Sequence, residues 1–477
     1  MLSPWVVNEL KTANLHDKRL NERFLEIVDR LGKHPTASIP AAMGGAPEVA
    51  AAYRWFDNEK VSFERVLQPH RTATRERIAT QSEVLLVQDT TEVDLTRPEQ
   101  QVQGAGLLDG NSRRGVLLHM LQAFTLNGTP LGTVEAAVIN RSDDRPTNAT
   151  KTRAQRQAVP IEDKESYRWL ESLRHAQDLA KQHPQTRFVC LGDSESDIYE
   201  VLAETLQAPG NAHWIVRAAQ DRALQSATSL REELLATAAV YTTEIAVRGR
   251  TAKVSCEKRG RRQPRESRIA TVEVRARRVT LRPPHRPDRK LPPVAVNVVL
   301  VRELDPPAGE SAVEWVLLTD LSIATEADIR GVVEKYGLRW MIEIFFRTLK
   351  SGCRVEERRF EHIERHLPCL ATYLIVTWRT LYVCRLGREC PEMSSEAVFE
   401  PAEWKSIYRV VLGVTPATPP PLAEMIRIVA QLGGYVNRKR TDPPGPQTVW
   451  LGLQRLHDIS TCWKLFGPET RKTKRLV

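Results

Sequence analysis

Four residues in the stretch Tyr336–Lys350, YGLRWMIEIFFRTLK, have types and spacing suited to holding a phosphodiester: Tyr336, Arg339, Glu343 and Lys350. A helix advances about 100° per residue, which brings all four within an arc of roughly 60°. Leu338, Met341, Ile342, Phe345 and Leu349 then lie on the other side, toward a core. Arg and Lys hold phosphate oxygens, a phenol donates a hydrogen bond, and a carboxylate holds a divalent metal. The same spacing allows a plainer alternative, a solvated helix face with an Arg339–Glu343 pair at i,i+4.

Two further acids close short apolar runs. EVLLVQD ends on Asp89 and RFVCLGD ends on Asp193. Each run reads as a buried strand, and in α/β sheets chemistry gathers at the carboxyl ends of strands. Either acid alone is as readily a turn residue. Together with Glu343 they suggest three carboxylates meeting at one edge, with Asp94 and Asp197 as neighbouring substitutes or supporting groups. Displacement at phosphorus needs an activated oxygen nucleophile and a stabilised leaving oxygen, and two divalent cations about 3.5–4 Å apart serve both needs. Mg²⁺ takes oxygen ligands and keeps some waters, so two or three carboxylates suffice. The sequence offers no nucleophile–base triad and no Gly-rich phosphate loop.

The elements that position these residues are legible in outline. Residues 1–80 read as helices, one capped by Asn14 or Asp17 and another by Ser62, the latter with a kink at Pro69. Lys18, Arg19, Tyr53, Arg54 and Arg71 on their surface would dock DNA, or would be ordinary surface charge. After the strand ending at Asp89, Arg114–Asn127 and Leu131–Ile139 complete a three-strand meander. Residues 140–163 form a polar loop, and a helix follows over Ser166–His183. The strand ending at Asp193, a helix and the strand WIVR, ending on Arg217, argue for a mixed α/β sheet. Val240–Val247, Ala252–Cys256, Ile269–Arg275 and Val294–Val301 read as strands of a β-rich insertion. Its basic tracts, Lys258–Arg268 and Arg282–Lys290, would track a nucleic-acid backbone or stay solvated. Trp315 lies just before the Tyr336–Lys350 stretch, as a core residue or a platform for an extruded base. Leu367–Leu386 reads as an apolar core helix, and Leu422–Phe466 as two helices that pack within the chain or on a second subunit.

A chain of 477 residues is too long for one core, which implies two or three domains. A hydrophobic fraction of 41% and a charged fraction of 27% describe a soluble globular protein. No apolar run approaching the ~20 residues of a membrane span is apparent, nor a signal-peptide layout, so a cytoplasmic location is expected. The seven cysteines form no C-x-x-C pair, which suits reduced thiols rather than a zinc site. The net charge of +10 suggests a polyanionic partner.

The spacing Y-x2-R-x3-E-x6-K resembles the signature of DDE transposases of the bacterial insertion-sequence-four family. QDTTEVDL and GDSESDIYEVL around the first two acids, AAYRWFDN, EWVLLTD and AQLGGYVNRKR extend the likeness over nearly the whole chain. The resemblance implies an RNase H-like mixed-sheet catalytic core over 81–386, with a β-rich insertion at 220–320. Helical regions would flank it, a DNA-end-binding domain at 1–80 and a dimerisation region at 387–477. It implies Asp89, Asp193 and Glu343 as the metal-binding catalytic acids, with two Mg²⁺ per site and Mn²⁺ able to substitute. Tyr336, Arg339 and Lys350 would contact phosphates, Trp315 would stack a flipped base, and Arg217 would touch DNA beside the site. Lys18, Arg19, Tyr53 and Arg54 would take part in end recognition. The implied partners are double-stranded DNA and a second subunit, in the bacterial cytoplasm and on the nucleoid. The implied reaction is cut-and-paste transposition, with hairpin ends in relatives. An endonuclease without strand transfer, and an inactive DNA-binding relic, are the alternatives. Ser194 stands where some relatives carry Arg.

Overall fold

The computed structural model describes residues 2–468 apart from 98, 110–111, 143–151, 153–154, 156–157, 205–209, 248, 250–264, 288 and 437–442. Strand β1 (Glu83–Asp94) pairs antiparallel with β3 (Arg114–Phe124), which pairs antiparallel with β4 (Pro130–Ile139). The short β2 (Gly106–Leu107) also lies against β3. On its other edge β1 runs parallel to β5 (Arg187–Gly192), and β5 parallel to β6 (Ala212–Arg217). The meander plus a parallel pair is the mixed sheet of an RNase H-like core. The sheet does not stop there. Strand β10 (Glu314–Thr319) pairs antiparallel with β6, and β9 (Val294–Glu303), β8 (Arg268–Leu281) and β7 (Tyr241–Val247) follow in turn. The β-rich insertion is therefore hydrogen-bonded into one ten-stranded sheet with the core. Ala252–Cys256 and most of Lys258–Arg268 lie outside the described residues.

Helices cover both faces, as the alternation of strand side chains requires. Leu85 and Val87 of β1 pack with helices α1 (Pro4–Glu9), α2 (Lys18–Lys33), α3 (Ile39–Met43), α4 (Ala46–Phe56) and α5 (Phe63–Ile78) in one core. Val84 and Leu86 pack into a second core, with α6 (Tyr167–Gln182), α7 (Tyr199–Glu204) and α8 (Leu230–Leu235). Asp17 caps α2 by accepting from the backbone of Arg19 and Leu20, and Ser62 caps α5. After β10 come α9 (Glu326–Gly337), a 3₁₀ turn (Leu338–Trp340), α10 (Met341–Arg347) and a π turn (Thr348–Gly352). The chain continues through α11 (Ile363–Glu389), α12 (Pro401–Leu412), α13 (Leu422–Leu432) and α14 (Pro446–Phe466). Helix α11 is long and apolar enough to cross a membrane, contrary to the expectation that no run was. It is apolar all round because both sides are covered, by the sheet core and by the C-terminal helices, and most of it is buried.

A buried charge cluster ties α1 to α5 and β4. His70 Nδ1 donates to Glu9 Oε1 at 2.5 Å, while its Nε2 accepts from the Thr133 backbone at 3.0 Å. That pattern fits a neutral ring, and burial lowers the His70 pKa. Arg77 donates to both Glu9 oxygens at 2.7 and 3.0 Å and lies 4.1 Å over the Trp378 ring of α11. Gly132 lets β4 approach this closely, since it has φ +140° and an added Cβ would lie 2.0 Å from Thr74 Oγ1. Removing one member of a buried ion pair strands the other. Glu9→Gln should therefore cost about 3–5 kcal/mol of stability, read by denaturant unfolding of the full chain. A loss below 1 kcal/mol would show that the cluster is incidental to stability.

Candidate active site

Asp89 and Asp193 are neighbours by register. Val87 of β1 lies beside Leu191 of the parallel β5, and two more residues along each chain bring the two acids side by side. Both share parity with the side chains of the first core (Leu85, Val87, Val189 and Leu191) and so point to the same sheet face. Helix α10 covers that face with Ile342 and Phe345 and carries Glu343 to its edge. Arg339 bridges the first and third acids, its Nη1 3.3 Å from Asp89 Oδ2 and its Nη2 2.7 Å from Glu343 Oε1. Burial and the neighbouring Asp193 charge push the Asp89 carboxyl up to about 7, against the pull of Arg339. Burial works against the Arg339 charge, yet Tyr336, Glu343 and Asp89 together raise its pKa.

The oxygen-only donor set suits a hard divalent cation, and the raised Asp89 pKa marks carboxylate charge that the surroundings leave under-compensated. As arranged here, the Arg339 guanidinium supplies the positive charge between Asp89 and Glu343. Among the described residues no group of three or more Asp, Glu, His or Cys converges closely enough to hold a metal.

The Tyr336–Lys350 stretch is not the single helix that its periodicity suggests. A 3₁₀ turn over Leu338–Trp340 and a π turn over Thr348–Gly352 interrupt it on either side of α10. Tyr336 is buried, edge-on to Trp315 with ring centroids 5.7 Å apart, instead of standing on an exposed polar face. Burial raises its pKa, offset by the charges of Arg339 and Arg217. Arg217 is exposed and donates to the Glu314 carbonyl at 3.1 Å, which sets it beside Trp315. Lys350 sits in the π turn and pairs with Glu356 at 3.4 Å, and Glu356 also accepts from the Asp94 backbone.

Asp94 and Asp197 have structural partners. Asp94 accepts from Arg113 and Thr96, and Asp197 accepts from Arg222 and the Ala219 backbone. Lys18, Arg19 and Arg54 are exposed, whereas Tyr53 stands edge-on to Phe360. Arg71 is buried between Glu64 and Glu135, so it is no part of that surface. In the Arg282–Lys290 tract, Arg286 pairs with the buried Glu200 and Arg289 forms a partly exposed pair with Glu162. The sequence reading missed Arg168, which no motif marks. Its Nε reaches the hydroxyl of Thr90, the residue after Asp89, at 2.9 Å.

A family model described as "Transposase DDE domain" matches residues 170–367. Models described as "Transposase DNA-binding" and "Transposase Tn5 dimerisation domain" match residues 3–61 and 375–462. A cryo-EM structure of the piggyBac transposase synaptic complex with hairpin DNA is similar at 11% identity and a TM-score of 0.31, over 86% of this chain. This chain spans 61% of that one, under two thirds of its length. With the three matched regions in the order DNA-binding, DDE and dimerisation, the chain belongs to the DDE transposases, of the Tn5-like kind in the insertion-sequence-four family.

Proposed function

We propose that this protein excises a mobile DNA element at its terminal repeats and joins it to target DNA, with Asp89, Asp193 and Glu343 as the catalytic acids. The observation that supports this reading is the parallel register of β1 and β5, which runs to Val87 and Leu191, two residues before Asp89 and Asp193, together with Arg339, which reaches both Asp89 and Glu343. The three carboxylates would hold divalent ions, two Mg²⁺ per site with Mn²⁺ as substitute. Such ions, when bound, supply an activated oxygen nucleophile and a stabilised leaving oxygen. The chain's own residues do the rest. Arg339 lies within reach of the acids and has the planar fork that suits a phosphate held beside them. Trp315, against Tyr336 and next to Arg217, offers a ring on which an unpaired base can stack. Lys350 and Tyr336 complete the phosphate contacts.

Residues 1–80, with Lys18, Arg19, Tyr53 and Arg54, would grip the element's end. The segment 387–477 would pair two subunits on DNA, around the catalytic core of 81–386. Excision through hairpin ends is the form this reading takes, since a stacked, flipped base at Trp315 relieves the sharp bend of a hairpin. The site of action would be the bacterial cytoplasm, on the nucleoid.

The direct test incubates the protein with DNA flanking its own gene, a target plasmid and Mg²⁺. Excised and joined products are expected from the wild type, and Glu343→Gln should lose cleavage by about a thousandfold or more while still shifting end DNA in a gel. Cleavage without joining would replace the reading by that of an endonuclease. Binding with neither product would indicate a DNA-binding relic. Trp315→Ala should slow the step after nicking by more than it slows nicking, followed as nicked, hairpin and excised species over time. Equal slowing of both steps would remove the stacking role.

Asp89 makes a pH prediction. Its carboxyl sits near 7 against an ordinary 3.8, so the folded state holds a proton that the unfolded chain releases. The metal-free fold therefore loses stability as pH rises from about 4 to 7, by at most about 4 kcal/mol. In EDTA, Asp89→Asn should melt above the wild type at pH 8, with the gap closing toward pH 4. A wild type at least as stable as the variant at pH 8 would refute this.

A further inference from the structure

Asp89 faces the acidic edge, and the next residue of the strand faces the other way. Thr90 pairs with His119 of β3 and turns its hydroxyl toward α6, on the reverse of the sheet. There it meets two side chains. Arg168 Nε donates to Thr90 Oγ1 at 2.9 Å, and Thr90 Oγ1 lies 2.9 Å from His119 Nδ1. His119 Nε2 lies 2.9 Å from Ser172 Oγ, one helical turn beyond Arg168. Arg168 donates to the oxygen of Thr90, and either tautomer of a neutral His119 completes a hydrogen-bonded chain from Thr90 to Ser172, since each hydroxyl can donate or accept. Burial together with the Arg168 charge pushes His119 down to about 3. The ring is further fixed edge-on to the buried Trp169, with centroids 4.8 Å apart.

The same guanidinium reaches the second acid's segment. Arg168 Nη2 is 3.4 Å from Glu195 Oε2, two residues past Asp193, and Nη1 donates to the Glu165 carbonyl at 2.7 Å. Glu195 in turn donates its backbone N–H to Asp193 Oδ1 at 2.8 Å. One largely buried cation thus touches the residue after Asp89 and the turn that orients Asp193.

We infer that Arg168 is a positioning residue, a brace on the back of the sheet that, through Thr90 and Glu195, sets the spacing of Asp89 and Asp193. This rests on the reading of those acids as divalent-ion ligands. Ligand oxygens must be held within about 0.5 Å for such a site to work, and outer partners of metal ligands cost about 10–100-fold in affinity when lost. The strand pairing of β1 and β5 ends at Val87 and Leu191, short of both acids. The brace acts where the backbone ladder no longer does.

The test is a double-mutant cycle on the full chain without DNA, with Mn²⁺ binding read from the electron paramagnetic resonance signal of free Mn²⁺. Thr90→Val removes the shared hydroxyl at constant volume, and Arg168→Lys keeps the charge but cannot reach both segments. Each should weaken Mn²⁺ binding by about tenfold or more, and the double variant should bind no worse than the poorer single. Metal-free binding to end DNA should stay within about twofold and the melting temperature within a few degrees, which a merely structural defect would not leave intact. If either single variant failed to fold, Ser172→Ala, which loosens only the far end of the chain, should still weaken Mn²⁺ binding by about threefold. Unchanged or tighter binding in the single variants, or additive losses in the double, would overturn the brace. Glu343→Gln serves as the control. Wild-type Mn²⁺ affinity in that variant would overturn the underlying metal-site reading, separately from the role of Arg168.

Discussion

Two carboxylates held side by side on adjacent parallel strands repel each other, and much of the surrounding structure is organised to tolerate it. At an effective dielectric constant of about 20, like charges 5 Å apart repel by roughly 3 kcal/mol. At Asp89 burial is the larger effect, and the Asp193 charge adds to it, so that its carboxyl rises to about 7. The protein answers with guanidinium groups from both sides of the sheet. Arg339 bridges Asp89 and Glu343 on the front, and Arg168 stands behind, its pKa lowered by burial against the opposing charges of Glu165, Glu195 and Asp193. On the proposed reading, a divalent ion bound by these acids would offset the carboxylate charge that raises the Asp89 pKa.

The sheet carries the second part of the design. Because β10 is hydrogen-bonded to β6, the insertion is continuous with the strands that hold the acids. Trp315 on β10 and Arg217 at the end of β6 therefore sit at fixed positions relative to Tyr336. In the proposed reading Trp315 receives an unpaired base, and such a role would gain from this mount, since sheet ladders hold position better than loops. Short irregular turns break the helix on either side of α10, and Tyr336 is buried edge-on to Trp315.

Helix α11 links the catalytic sheet to the C-terminal helices. Its residues from Cys369 to Leu381 belong to the sheet core, and Val383 and Cys384 belong to the C-terminal core. One continuous element thus spans two cores.

The residue types and their spacing determined a good deal by themselves. Apolar runs ending in Asp89 and Asp193 were legible as strands because a strand buried on both faces has a continuous hydrophobic signature. Arg339 and Glu343 were legible as a pair because i,i+4 neighbours touch in nearly any helical winding. Tertiary structure alone decided the rest. Tyr336 went into the core because Trp315, on β10, packs edge-on against it, and no local periodicity announces that contact. Arg71 was drawn inside by Glu64 and Glu135, the latter 64 residues away on β4. Arg168 became part of the site only because α6 packs behind β1 and β3, which brings it to Thr90 across 78 residues of sequence. A sequence specifies which groups can do chemistry, but long-range packing selects which of them meet, and that selection depends on contacts between residues that no local pattern relates.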